Sequence, residues 1–318
     1  MTSSSTAPDQ LEFMGSALGY QKSDADMVDY QIWKLWMPQR GLAVRGPRPQ
    51  NIKPKTYCVS LGAADTFGRF VPQPYPQLLA KALDLSSLNL GFAGVGPSFY
   101  NQARNQTLIQ LVNNAQFATI SIFSGRSQSN SKFTTAWRSQ EQYCLENGQT
   151  MPADYAYQQL LEDSDRATIA ALVEETRSRY LKEFIQLLEK ITVPKVLLWF
   201  ARRSPDYTLT YDSILNLFGG FPHLINRDMV NALKPYCDDY VEYVSSIGLP
   251  QPLIHRITQE PITIERSRNY VKDKVQLTRS KLTHNRYYPS PEMHLGVAQA
   301  LIPICKKYSQ TKRPYASY

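Results

Sequence analysis

Short apolar runs alternate along this chain with segments of helical periodicity, and no other feature of the sequence constrains the fold as strongly. The apolar runs predict strands over 56–61, 88–92, 117–124, 195–201 and 252–257. Apolar residues three or four apart predict helices over 75–83, 98–115, 155–191, 227–247 and 291–308. Strands in alternation with helices predict an α/β fold, in which a mainly parallel sheet lies between two helical layers.

The 318 residues are enough for one α/β domain with insertions. We predict that this domain spans 51–308. Residues 1–50 are predicted to be an irregular lead-in, because the prolines of "RGPRPQNIKPK" disfavour regular structure. Residues 309–318 are predicted to be a basic tail.

The composition argues against several classes of protein. The chain contains no run of 18 apolar residues, so we predict no membrane span. The N-terminus lacks the pattern of a secretory signal. Cys58, Cys144, Cys237 and Cys305 are scattered, which favours free buried thiols and a cytoplasmic location. His223, His255 and His284 have no ligand spacing, so we predict neither a metal nor a cofactor.

The formal net charge of +8 is partly concentrated in residues 265–288 and 306–318, where tyrosines interleave with basic residues. Such a surface would attract an anionic partner: nucleic acid, anionic lipid or an anionic glycan. The alternative is a basic face that contacts only solvent.

In a parallel sheet, the residues that follow the strands at their carboxyl ends form the active crevice. Here these residues are 62–68, 91–96, 124–130 and 201–206. They contain glycine-rich turns, amide side chains and the Arg202–Arg203 pair. Near the C-terminus, His294 lies at the start of the last predicted helix.

The segments "GAADTFGRF", "NLGFAGVG" and "MHLGVAQAL" are similar, in order and spacing, to blocks of the SGNH (GDSL-like) hydrolase superfamily. The first block also resembles that of an uncharacterised bacterial domain family, which reads Gly-Gly-Ser-Glu-Thr-Phe-Gly-Arg-Phe. The resemblance implies a three-layer, flavodoxin-like α/β fold of SGNH type.

The resemblance also implies roles for particular residues. Gly62 and Thr66 match the first block, and Ala64 takes the position of the nucleophilic serine, either naturally or by substitution. The remaining positions are an oxyanion glycine at Gly91 or Gly94, an oxyanion side chain at Asn130 or Gln128, and a general base at His294. Pro291 stands where the family has the aspartate that partners the histidine base, and Glu292 lies next to it.

The activity implied is hydrolysis or transfer of an acyl ester on a glycan or lipid-like substrate. Two alternatives stay open. One is a non-catalytic binding or assembly protein. The other is an acyl-CoA-dependent transferase without a covalent intermediate, in which His294 is the base and Arg202 and Arg203 hold the phosphates. Each candidate also has a purely structural interpretation: a glycine turn at 91–96, an ordinary loop residue at Asn130 and a helix-start histidine at His294.

Overall fold

The computed structural model describes residues 13–14, 16–38, 40–50, 52–136, 142–145, 147–271 and 274–309, with side chains described outside 13–16 and 265–280. The strands within these residues are β1 (Phe13–Met14), β2 (Trp33–Met37), β3 (Arg40–Val44), β4 (Tyr57–Gly62), β5 (Ser86–Gly91), β6 (Ala118–Ser121), β7 (Thr134–Thr135), β8 (Gln142–Cys144), β9 (Thr150–Pro152), β10 (Lys195–Ala201), β11 (Asp239–Val244), β12 (Gln251–Pro252), β13 (Ile264–Val271), β14 (Lys274–Leu282) and β15 (His284–Asn285).

The α-helices of the same residues are α1 (Ser16–Asp24), α2 (Ala64–Phe67), α3 (Tyr75–Ala82), α4 (Pro97–Asn101), α5 (Gln106–Asn114), α6 (Ala153–Asp163), α7 (Arg166–Lys190), α8 (Ile214–Phe218), α9 (Arg227–Leu233) and α10 (Pro291–Cys305). Short 3₁₀ turns lie at Ala103–Asn105, Gly125–Ser127, Lys234–Tyr236 and Lys306–Tyr308.

The central sheet is parallel, and its strands lie in the order β11-β10-β6-β4-β5. Counted along the chain within this sheet, the order is 5-4-3-1-2. The chain winds to one side from β4 to β5 and then to the other side from β6 onwards. Between β4 and β6 lies the topological switch point, where ligands bind in doubly wound sheets.

Side chains of β10 show how the sheet is covered, because successive residues alternate between two apolar clusters. Leu198 and Phe200 pack in the cluster that contains α3 and α10 residues. Leu197 and Trp199 pack in the cluster that contains α5, α7 and α9 residues. Helices therefore pack against both faces of a parallel sheet, which confirms the predicted α/β class.

The N-terminal region differs from the predicted irregular lead-in. Residues 16–24 form a helix, and β2 pairs antiparallel with β3, which also pairs with β1. Leu35 and Leu42 of this small sheet belong to the same apolar cluster as the central strands. The proline-rich loop thus begins only after β3, and the burial of Leu35 and Leu42 stabilises the strands that precede it.

The predicted helix over 227–247 is wrong in its second half. Helix α9 ends at Leu233, a 3₁₀ turn containing Pro235 follows, and 239–244 form β11, the edge strand of the central sheet. The predicted strand over 252–257 is not part of that sheet, since β12 spans only Gln251–Pro252 and pairs with β15. In "DYVEYV" the apolar and aromatic residues fall on both faces of the strand, and their spacing can also be counted as helical periodicity.

The remaining elements follow the predictions in outline. The long helical pattern over 155–191 is divided between α6 and α7, where Asp165 caps α7 by accepting a hydrogen bond from Thr168 N. The cysteines of the chain are free, as predicted, but Cys144 is exposed and Cys237 is half-buried rather than buried. In the part of the chain that is described, no helix combines the length and the apolar character needed to cross a bilayer.

The basic segment 265–288 contains the antiparallel pair β13–β14. Its side chains over 265–280, and residues 310–318 of the basic tail, lie outside the described residues. Binding of an anionic partner by these segments therefore stays a prediction.

Candidate functional site

A cavity of about 510 Å³ opens at the carboxyl end of the central sheet. Residues that follow every strand of this sheet line it: Ala63–Asp65 after β4, Gly94 and Val95 after β5, Ser124, Arg126 and Ser127 after β6, Arg202 and Arg203 after β10, and Ser246 after β11. Loop residues complete the wall, among them Leu215, Phe221, His223 and Tyr287. The cavity thus lies at the sheet edge that includes the switch point.

The cavity wall contains a serine and a histidine in direct contact. Ser124 Oγ lies 2.9 Å from His223 Nδ1, and both residues are buried. The backbone N–H of Gly125 donates to the carbonyl of His223 at 2.9 Å, so the two loops are fastened together at this point. A serine hydroxyl that donates to an imidazole has the arrangement that general-base catalysis requires.

The electrostatic surroundings keep His223 neutral. Burial lowers its pKa well below the ordinary value, and the charges of Arg126 and Arg203 lower it further. A neutral ring has one accepting nitrogen, and in the tautomer that carries its proton on Nε2 this is Nδ1, which is then able to take the Ser124 proton.

Asp65 is a second group of the cavity wall that can exchange a proton. Its carboxylate accepts hydrogen bonds from Ala63 N at 3.2 Å and from the Ser121 hydroxyl. Burial raises its pKa to about 6, against the opposing effect of these hydrogen bonds. Asp65 therefore changes charge close to neutral pH at the same sheet edge as Ser124.

The two adjacent arginines have different roles. Arg203 donates to the carbonyls of Gly220 at 2.7 Å and Ile225 at 2.8 Å, and its guanidinium lies 4.3 Å from the Tyr207 ring centre. It therefore holds the loop that carries His223. Arg202 is exposed and donates to the carbonyl of Arg286 at 2.7 Å. Both line the cavity, but they do not form a paired clamp of the kind predicted.

The predicted nucleophile position and the predicted base lie in different surroundings. Ala64, the first residue of α2, lines the cavity. His294 is fully buried and is not part of the cavity wall; its Nδ1 accepts a hydrogen bond from Tyr75 N at 3.1 Å. The Phe200 and Tyr75 rings cover it, with centroids 5.1 and 6.0 Å away. With Nδ1 already accepting, the neutral ring carries its proton on Nε2 and has no free nitrogen to act as a base.

Of the two glycines predicted for the oxyanion site, only one lines the cavity. Gly94 lines the cavity with a φ of 69°, a conformation that favours glycine. Gly91 does not line it; a Cβ there would lie 2.3 Å from Phe67 N, so this glycine allows α2 to pack on β5.

Asn130 and Gln128 are not among the residues that line the cavity. Asn130 donates to Tyr157 and Thr176 at 3.1 Å and accepts from Phe133 N at 2.8 Å, so its amide is fully used in holding a loop. Gln128 is also buried. Glu292 is exposed at the start of α10, and its carboxylate lies against Gly248.

Several residues of the block "GAADTFGRF" have structural roles. A Cβ on Gly62 would lie 1.9 Å from the Thr66 hydroxyl, which explains the glycine and the threonine together. Arg69 forms a buried bidentate ion pair with Asp24 of α1, at 2.9 and 3.0 Å. The motif therefore joins the N-terminal region to the sheet.

Sequence reasoning placed Asp65, Ser124 and Arg126 in the predicted crevice without assigning them a role, and it missed His223. The strand-end rule does point to Ser124 and Arg126, which directly follow the third apolar run. No local signal identifies His223, because it lies 99 residues after its partner. No group of three or more His, Cys, Asp or Glu residues suited to a metal ion occurs among the described residues.

The sheet order and the strand-end cavity define a doubly wound α/β protein with a ligand-sized site at its switch point. The chain belongs to the family described as "Domain of unknown function (DUF6473)", whose model matches residues 18–144 and 158–309. The match begins within α1, so the N-terminal region is part of the family's unit.

No curated protein matches the chain. Among solved structures, the chain is similar to the crystal structure of a protein from Lactobacillus plantarum, a structural genomics target, with 13% sequence identity and a TM-score of 0.41. The similarity covers 81% of this chain and 99% of the other.

Proposed function

We propose that this protein hydrolyses or transfers an acyl ester in the strand-end cavity, with Ser124 as the nucleophile and His223 as the general base. The observation that carries the proposal is the 2.9 Å contact between Ser124 Oγ and His223 Nδ1 in the wall of a ligand-sized cavity. The reaction class is the one implied by the resemblance to SGNH hydrolases, but the reacting groups are different.

The chemistry follows from the contact. Ser124 Oγ attacks the ester carbonyl carbon while its proton passes to His223 Nδ1, and the imidazolium then gives this proton to the departing alcohol oxygen. Water, deprotonated by the same ring, attacks the acyl-serine and releases the acid. If a second alcohol takes the place of water, the acyl group is transferred.

The apolar part of the wall suits an acyl chain. Leu215 is 71% exposed and Tyr287 is 46% exposed, although both are large apolar or aromatic side chains, and both line the cavity together with Phe221. Large exposed apolar groups around a cavity favour contact with an apolar part of a ligand. This supports a lipid-like acyl group, or a glycan acyl ester whose acyl group enters the cavity.

The sheet order supports a three-layer fold of SGNH type, and Ala64 lies in the cavity wall, as the resemblance expects of the nucleophile position. What differs is the base, since the ring of His294 is closed off by Tyr75 and Phe200. We therefore assign the reaction to the serine after β6 instead of the position after β4.

The test compares two buried serines of the same wall. We expect the protein to hydrolyse 4-nitrophenyl acetate or butyrate and to form a covalent adduct with a fluorophosphonate. Ser124→Ala should lower kcat by about 10⁴-fold and abolish the adduct, as expected when a nucleophile is removed. The control is Ser127→Ala, which removes a buried cavity hydroxyl that does not contact His223 and should leave both readouts unchanged.

An adduct that persists in Ser124→Ala, or an equal loss in Ser127→Ala, would contradict the assignment of the nucleophile. If the natural chain neither turns over esters nor is labelled, the protein is not a serine esterase. The alternatives are then a non-catalytic binding protein and direct transfer from acyl-CoA.

A further inference from the structure

The cavity wall carries an excess of positive charge. Among the described residues that line it, the charged side chains are Arg126, Arg202, Arg203 and Asp65, and His223 is neutral. Even with Asp65 ionised, the wall retains more positive than negative charge. Charges in a concave site of low dielectric constant act strongly on a ligand, because little water screens them.

Arg203 contributes positive charge to the cavity, while its hydrogen-bond donors bind carbonyls within the protein. Its described partners are neutral backbone carbonyls, including those of Gly220 and Ile225, and two aromatic rings. Within the part of the chain that the structure describes, it forms no ion pair with a carboxylate. The positive charge of Arg203 therefore acts on the cavity and is not cancelled by a neighbouring acid.

Arg202 is the arginine with hydrogen-bond donors available to a ligand. It uses Nη1 to contact the carbonyl of Arg286, the described residues give its guanidinium no second hydrogen bond, and the residue is exposed at the cavity wall. It follows β10, which is hydrogen-bonded to β6, the strand before Ser124. Ser124 and Arg202 therefore lie on neighbouring strand ends. A guanidinium presents two parallel N–H groups, which match the two oxygens of a carboxylate or phosphate.

We propose that the ligand of this cavity is an ester that also carries an oxyanion, a carboxylate or a phosphate, which pairs with Arg202 while the ester group lies at Ser124. The ester part rests on the proposed function, whereas the oxyanion part rests on the charges alone.

The oxyanion would also assist the base. An imidazolium at His223 is disfavoured by the nearby charges of Arg126 and Arg203. A bound anion offsets part of this repulsion, so the proton taken from Ser124 is better accommodated when an anionic substrate is present.

The test measures binding separately from turnover. The probes are 4-hydroxybenzoate and phenyl phosphate, with the neutral, isosteric 4-hydroxybenzamide as the reference, titrated calorimetrically into the full chain carrying Ser124→Ala. We expect at least one anion to bind about tenfold or more tightly than the amide, with a preference that weakens as salt is added. Comparison of the two anions shows whether the site favours a carboxylate or a phosphate.

Arg202→Gln should reduce the preference to less than about twofold. The matched control is Arg179→Gln, which removes the same charge from an exposed ion pair on α7, outside the cavity, and should leave the preference unchanged. Equal affinity for anions and amide, no saturable binding of either anion at millimolar concentrations, or a preference that survives Arg202→Gln would overturn the proposal.

The same probes separate this inference from the proposed function. With 4-acetoxybenzoate and 4-acetoxybenzamide as substrates, the natural chain should have the higher kcat/KM for the carboxylate. If the protein prefers anions in binding but hydrolyses neither ester, the proposed oxyanion site is supported and the proposed esterase activity is rejected. Turnover of both esters at equal kcat/KM, without preference in binding, would refute the oxyanion site and leave the esterase standing.

Discussion

Two regions at the carboxyl end of the central sheet contain similar residue types but use them differently. The motif region comprises Gly62, Thr66, Arg69 and His294. The cavity region comprises Ser124, Arg126, Arg202, Arg203 and His223. Each contains an arginine and a buried, neutral histidine. In the motif region the partners lie inside the protein: Tyr75 N for His294 and Asp24 for Arg69.

In the cavity region the partner of the histidine is the Ser124 hydroxyl, and Arg202 is exposed at the wall of a ligand-sized space. Similar residue types are therefore bound to internal partners in one region and line a cavity in the other. Changes in the motif region should therefore affect stability, and changes in the cavity region should affect activity.

The largest expected difference is in kcat. His223→Asn keeps a polar side chain beside Ser124 but removes the base, so we expect kcat to fall by about 10²–10⁴-fold, the range typical of general-base catalysis. His294→Asn keeps an acceptor for Tyr75 N and should leave kcat nearly unchanged. The measurement is kcat of the two variants for steady-state hydrolysis of a nitrophenyl ester. A larger loss in His294→Asn would return the role of base to the motif region.

The next largest effect is in the free energy of unfolding. Arg69→Met leaves the Asp24 carboxylate buried without its ion-pair partner and should cost about 3–5 kcal/mol. Arg202→Gln, at an exposed position, should change stability by no more than about 0.5 kcal/mol. Urea unfolding compares the two. Similar losses of stability would remove the distinction between the motif and cavity regions.

A smaller effect is the dependence of stability on pH. Burial lowers the pKa of His294 to about 3, whereas the unfolded ring has its ordinary pKa of 6.5. The unfolded chain therefore binds a proton that the folded chain excludes. The stability contributed by the neutral ring is complete above about pH 6.5 and is lost as the pH falls towards 3, by about 3 kcal/mol at about pH 4.5.

The measurement is the free energy of unfolding at about pH 7.5 and about pH 4.5 for the natural chain and for His294→Asn. The variant should lose about 3 kcal/mol less between the two conditions. Asp65, whose pKa is raised to about 6, acts in the opposite direction, but it is present in both chains and cancels in the comparison. An equal pH dependence in the two chains would show that His294 is not enclosed as described.

Four strands of the central sheet could be predicted from local patterns in the sequence. The run "KVLLWFA" is continuously apolar after its lysine, as is typical of a strand buried on both faces, and "TYCVSL" combines β-branched and aromatic residues and ends at a glycine, which favours a strand. The strand-end rule also located the cavity, since Ala64, Gly94, Arg202 and Arg203 line it. These predictions succeeded because they depend on local burial patterns and on the geometry common to all parallel sheets.

The tertiary structure alone decided the fifth strand and the composition of the site. Residues 239–244 became a strand because the edge of β10 offered hydrogen-bond partners, which their own periodicity does not reveal. His223 meets Ser124 across 99 residues, and His294 is closed off by Tyr75 and Phe200 from other elements. A ring nitrogen acts as a base only if its lone pair is free, and which atom occupies that lone pair depends on how distant segments pack.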